Sequence, residues 1–300
     1  MNPILIYSGA TGLNTVDDPV RIAFQEGGLT DLQVAINISI DQSLRINRRS
    51  GVQRLQTGSY HSLFCDGGDC FVIRGGSLYQ VTSEDSLIGV RSGLTEDQRM
   101  DFKQVGDRTY YCNGYERGFI YNSVSYAWNL GTYTGIETNR QFSAPPTGTH
   151  LATHNGKMYI AEGNVLWRSE LFNFDIYDKA EYPVKFSNNI IMIQPVATGI
   201  FISTETKTYF LKDADQVGFI QMEVAQFPAI EWSNTVEKVD ATDIGLEGGL
   251  SALWASKEGA IIGFPTGQIF NLNKNKVVYP GDATTGFGCL KGYNFIHGVN

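Results

Sequence analysis

One unit recurs along this chain: an apolar strand, a short glycine-bearing turn, then a second strand ending on an aromatic residue. Five copies are visible, with strand pairs at 70–73 and 78–81, 109–112 and 119–121, 157–160 and 165–167, 199–202 and 209–211, and 259–262 and 268–270. β-Branched and aromatic residues fill the strands, and most of the turns hold the glycine that a tight hairpin needs. The second-strand aromatics Tyr79, Tyr121, Trp167, Phe210 and Phe270 lie 42, 46, 43 and 60 residues apart. A period of about 40–50 residues is that of a four-stranded propeller blade. Most copies are preceded by another apolar strand, at 60–65, 149–153, 189–193 and 250–255, with a weaker version at 102–105 ahead of the second. The expected fold is therefore all-β: a β-propeller of about six blades, or five plus an irregular one. A β-sandwich or less regular β array is the alternative.

A further hairpin, 43–47 into 52–56, precedes the repeats. Completed by a C-terminal strand at 293–296, it would join the two chain ends in one blade and leave no open sheet edge. The expected organisation is an N-terminal arm over 1–30 and a propeller over 31–300, with a long insert at 212–249 accounting for the 60-residue spacing. The alternative for the arm is a strand packed on the propeller. Short helical turns are expected only at 96–102 and 173–179, since no 3.6-residue apolar stripe runs through the chain.

Charge narrows the function classes. The formal net charge is −8 with only 18% charged residues, which argues against a protein that grips nucleic acid by covering phosphates with Lys and Arg. No apolar run exceeds four residues, so no membrane insertion by a helix is expected. The opening seven residues are too short for a secretory leader and lack a basic segment. Cys65, Cys70, Cys112 and Cys289 lack zinc-ligand spacing and are expected as reduced, mostly buried thiols, although a bond between Cys65 and Cys70 fits a tight turn.

Catalytic signatures are missing. No phosphate-binding Gly-x-x-x-x-Gly-Lys-Ser/Thr, Gly-x-Ser-x-Gly or His-Glu-x-x-His occurs, and Gly286, Gly288 and Gly292 lack the spacing and surroundings of a dinucleotide fingerprint. His150 and His154 sit on one strand, where four residues span about 13 Å, too far for one metal. His154-Asn155-Gly156 reads as a hairpin turn, and His61 and His297 as core or surface residues. The acids available for glycoside chemistry, Glu181, Asp213, Asp215, Glu231 and Asp240, form no recognisable pair. Asp243 and Glu247 read as a solvated loop. No enzyme activity, cofactor or metal is expected. Arg45, Arg48, Arg49 and Arg54 form the one basic cluster, a solvated hairpin or a docking patch for an acidic partner.

Several segments carry a family resemblance. Gly12-Leu13-Asn14-Thr15-Val16-Asp17-Asp18-Pro19, Ala35-Ile36-Asn37-Ile38 and Arg45-Ile46-Asn47-Arg48-Arg49-Ser50-Gly51 resemble the opening of a family of tailed-bacteriophage virion proteins. Ala252-Leu253-Trp254-Ala255-Ser256-Lys257-Glu258-Gly259, Gly263-Phe264-Pro265-Thr266-Gly267-Gln268 and Asn271-Leu272 resemble its last hairpins. The matching segments cover about a third of the chain and keep their order. The resemblance implies a tail nozzle, tail-tube or head–tail connector subunit that sits in a ring, commonly sixfold, below the head–tail adaptor. Its implied location is the virion, after assembly in the host cytoplasm. Its implied partners are copies of itself, the adaptor, other tail proteins, and genomic DNA passing without sequence-specific binding. An acidic lumen would let DNA slide. Ring contacts are expected from Ile4, Leu5, Ile6 and Tyr7, from Arg48 and Arg49, and from the 212–249 segment. The rival expectations are a receptor-binding or adhesin propeller and a propeller glycoside hydrolase.

Overall fold

A computed structural model describes residues 9–18, 22, 29–41, 43–49, 51, 53–133, 140–180, 183–214, 218–240, 248–273, 276, 277, 279, 281–291 and 294–299. Every regular element among them is a strand. Five meandering antiparallel sheets form successive blades. The first blade holds His61–Asp66, Asp69–Arg74, Ser77–Val81 and Leu87–Arg91, and the second Asp101–Val105, Arg108–Cys112, Arg117–Tyr121 and Val124–Tyr126. The third holds His150–His154, Lys157–Glu162, Val165–Glu170 and Asn173–Tyr177, with Val184–Lys185 also pairing the Val165–Glu170 strand. The fourth holds Ile190–Val196, Gly199–Thr204, Thr208–Ala214 and Gly218–Ala225, and the fifth Thr235–Val239, Gly249–Ser256, Gly259–Gly263 and Ile269–Asn271. The sixth position is taken by a two-stranded hairpin, Gly286–Lys291 with Asn294–Val299.

The period-two arithmetic of strands explains how the blades cohere. Successive side chains point to opposite sheet faces, so one strand feeds two interfaces. Tyr111 packs with Phe71, Leu78 and Phe102 between the first two blades, while Tyr110 and Cys112 join Trp128, Leu151 and Ile160 between the second and third. Tyr159 and Ala161 turn the other way, toward Ile193, Ile200 and Leu211 of the fourth blade. Phe201 and Phe210 meet Trp254 between the fourth and fifth, and Leu253 with Ile262 faces Leu290 and Phe295 of the C-terminal hairpin. Five apolar clusters thus fill five successive interfaces.

Turn chemistry matches the hairpins. Asn155 and Gly156 have φ of 47° and 72°, a primed turn that suits the twist of the strands it joins and confirms His154-Asn155-Gly156 as a hairpin connection.

Several expectations are corrected. Residues 173–177 are a strand rather than a helical turn, and 96–102 form a turn at 96–97 that leads into the strand Asp101–Val105, the strand expected at 102–105. Each is the edge strand of its sheet and pairs one neighbouring strand. The segment 212–249 is no simple insert. It supplies the fourth strand of the fourth blade and the first strand of the fifth. The fifth sequence copy is therefore shifted by one strand: its 259–262 and 268–270 are third and fourth strands, whereas the other copies are second and third strands. That shift lengthens the final spacing. Cys65 and Cys70, a registered cross-strand pair, are joined in a disulfide rather than standing as thiols. Cys112 is buried and Cys289 exposed.

Ring closure also differs. Ile46–Arg48 pairs with Ile38–Ile40, not with 52–56, and the C-terminal strand pairs with its immediate predecessor. The N-terminal segment contributes in another way. Gly9–Leu13 runs parallel to Leu29–Leu32, Thr15 N–H donates to the Lys276 carbonyl at 2.7 Å, and Lys276 Nζ reaches Asp31 Oδ1 at 3.1 Å. Within the expected arm, residues 9–13 are thus a strand tied to the chain's far end.

Candidate functional site

The inner strands converge on an axial cavity of about 670 Å³. Its wall is built in chain order from residues 60–64, 99–103, 150–152, 193–195, 232, 234–236 and 287–289, so all five blades and the C-terminal hairpin contribute. Arg99, just ahead of the second blade's first strand, ties that blade to the C-terminal hairpin: its Nη1 donates to the Gly286 carbonyl at 2.6 Å.

Asp101 and His150 begin the first strands of the second and third blades and face the same space. Asp101 Oδ2 accepts the Leu151 N–H at 2.6 Å, and Oδ1 accepts the Phe102 N–H at 2.9 Å. Burial nevertheless dominates and pushes the Asp101 carboxyl above its ordinary range, against the pull of His150 and those two amides. The His150 side chain is only 5% exposed. Its Nε2 lies 3.3 Å from Glu231 Oε1, yet makes no hydrogen bond to any protein group. Trp232 covers the imidazole at a ring separation of 4.5 Å, and the Arg99 guanidinium lies 5.9 Å from the Trp232 centroid. His61, also in the wall, is held below its usual range by burial and by the Arg99 charge.

Two cavity-lining residues are held with left-handed backbones despite having side chains: Ser62 at φ 56° and Trp232 at φ 67°. Such positions persist where surrounding bonds over-determine them. Ser62 Oγ accepts the Met100 N–H at 2.8 Å. The backbone flanking Trp232 is clamped to the C-terminal hairpin, with Gly286 N–H donating to the Glu231 carbonyl at 2.8 Å.

Few of the sequence-selected residues meet here. Glu231 stands beside His150, and His61 lines the cavity. His154 is at the other end of its strand. Asp240 is exposed, and Asp213 lies in the strand Thr208–Ala214 of the fourth blade. Glu181, Asp215, Asp243 and Glu247 lie outside the described residues, as do Ile4, Leu5, Ile6 and Tyr7. Arg45, Arg48 and Arg49 are exposed around the Ile38–Ile40/Ile46–Arg48 hairpin. Asp101, Arg99 and Trp232 escaped sequence selection. The only available signal was that each stands at or just before the first strand of a blade, the strand that lines a propeller axis.

No family model and no curated protein match the sequence. Solved structures do. BBS1N in complex with ARL6DN is 10% identical, with a TM-score of 0.52 over 84% of this chain and 78% of that one. A catalytically inactive virginiamycin B lyase from Staphylococcus aureus, solved with quinupristin, is 9% identical, with a TM-score of 0.50 over 87% of this chain and 84% of that one. Likeness at this identity concerns the fold alone, and the fold is an all-β propeller.

Proposed function

We propose that the chain is a non-enzymatic structural subunit of a short-tailed phage particle, a ring-forming component of the tail nozzle or head–tail connector. The observation that carries this reading is where its family-like segments lie. The two ends that resemble tail proteins are far apart in sequence yet knit together. Thr15 belongs to the first segment, Lys276 lies four residues beyond the last, and the two share a 2.7 Å backbone hydrogen bond. Asn14 and Asp31 build the socket around that junction. A segment that braces a fold in this way is constrained along with it, so its sequence pattern is informative about descent.

In this reading copies of the chain assemble side by side, commonly six, beneath the head–tail adaptor, and DNA passes through the assembled ring. The net charge of −8 per subunit suits a lumen that repels phosphate. The exposed Arg48 and Arg49 suit contacts with an acidic neighbour. Electron microscopy of the purified chain, and of particles labelled with an antibody to it, tests the proposal. The expected result is rings with a bore of at least about 20 Å, the width of a duplex, and label at the tail vertex. Monomers at every concentration, together with unlabelled tails, would overturn it.

A further inference from the structure

We propose that the axial cavity is a binding site for a neutral, polyhydroxylated small molecule of mono- or disaccharide size, independent of the chain's role in a particle. Three observations lead there. The first is an unspent buried polar group. His150 is nineteen-twentieths buried and lines the cavity, and its Nε2 meets Glu231 Oε1 at 3.3 Å without making a hydrogen bond to it or to any other protein group. Such atoms are costly to leave unmade, and a ligand hydroxyl can donate to or accept from an imidazole nitrogen.

The second is the balance of charge. Asp101 and Lys103 share one stretch of wall, Arg99 stands beside them, and Glu231 approaches His150 from the fifth-blade side. Mixed signs at short range offset one another, so the wall offers no net attraction to a ligand of either charge. They suit a molecule whose many hydroxyls both donate and accept. The amide pair Asn234 and Gln194, joined by a 2.9 Å hydrogen bond, adds both kinds of partner from a further wall.

The third is size and surface. About 670 Å³ falls within the range of small-molecule sites. Ile193, Val236 and Phe287 add apolar surface to the wall, which can meet the C–H faces of a sugar ring. The wall is also fixed in advance. The backbones of Ser62 and Trp232, both in the wall, are held in the left-handed region, which lowers the ordering cost of binding.

The test is saturation-transfer NMR on the full chain. The probes are neutral hexoses, 6-deoxyhexoses, N-acetylhexosamines and their disaccharides, with glucuronic acid and glucosamine as the charged comparison. The expected result is transfer to at least one neutral sugar and none to the charged pair. Affinity should fall about tenfold in His150→Gln and in Asn234→Ala, the loss of one hydrogen bond each. Asn234→Ala keeps the proposal testable if His150→Gln unfolds, and melting curves establish which variants are folded. Silence from every neutral sugar, a preference for the acid or the amine, or unchanged binding in a folded variant would each overturn the assignment.

Discussion

Lys276 Nζ lies 3.1 Å from Asp31 Oδ1, although 245 residues separate them. The pair is asymmetric: the Asp31 side chain is 7% exposed and that of Lys276 43%. Thr11 Oγ1 and Asn14 Nδ2 also donate to the Asp31 carboxylate. Burial acts to raise the Asp31 carboxyl, but the hydrogen bonds from Thr11, Asn14 and Lys276 outweigh it and leave it below its ordinary value.

The asymmetry predicts unequal losses. Lys276→Ala removes a half-exposed partner and should cost at most about 1 kcal/mol. Asp31→Ala strands two further donors and should cost about 1–3 kcal/mol. Because the folded carboxyl titrates lower than the unfolded one, its stabilisation is present above the unfolded value of about 3.9 and is lost as pH falls through the folded value. The melting-temperature gap between the wild type and Asp31→Asn should therefore be widest near neutrality and close in acid. Equal cost for both alanine variants would mean that Asp31 is not the centre of the junction.

Gly288 governs how the C-terminal hairpin seats on the fifth blade. A Cβ built there would lie 2.0 Å from the Ser233 carbonyl oxygen, a backbone atom that cannot rotate away. Gly288→Ala should push the hairpin outward and cost about 1–3 kcal/mol. Gly281 has open space around its own Cβ position, so Gly281→Ala should stay within about 0.5 kcal/mol. Denaturant melts of the two variants check this, and a Gly288→Ala protein as stable as Gly281→Ala would rule out the close seating.

The blades were legible because each hides its apolar residues in short strands separated by turn residues, and that pattern survives in one dimension. What marked the copies, however, was not what packs them. Tyr121 and Phe270, chosen as anchors, are exposed, whereas Phe71, Tyr111, Phe201 and Trp254 on the preceding strands fill the interfaces. The interface residues sit in strands that are apolar on both faces, Phe201 between Ile200 and Ile202 and Trp254 between Leu253 and Ala255, so no alternation marks which face meets which blade. The fifth copy slipped by one strand for a related reason. Its first strand, Thr235–Val239, carries Glu237 and Lys238 and looks like loop. The cavity was less legible still. Asp101, His150 and Glu231 come from three separate junctions, and only closure of the ring brings them together.

The cysteine pairing sets a labelling pattern. Cys65 and Cys70 form a disulfide, Cys289 is exposed, and Cys112 is buried with its thiol pushed well up, by burial first and then by the nearby Asp101. A maleimide should add one label to the native chain, two in denaturant without reductant, and four after reduction, read by intact mass. Four labels in denaturant without reductant would show the 65–70 bond to be absent.

Asp101 should make stability depend on pH in the opposite sense to Asp31. Burial raises its folded carboxyl above the ordinary value, so folding favours the protonated form. That contribution is fully present below the unfolded value of about 3.9 and is lost as pH climbs through the folded value. Asparagine at this position does not titrate, and it puts an NH2 group where one carboxylate oxygen accepted the Leu151 or the Phe102 amide. Losing that bond shifts the baseline at every pH but not the slope. The melting temperature of Asp101→Asn, measured relative to wild type, should therefore rise steadily from acid toward neutral pH. A difference that stays flat across that interval would mean the carboxylate is accommodated without penalty, and the cavity would then have to be wetter than its walls indicate.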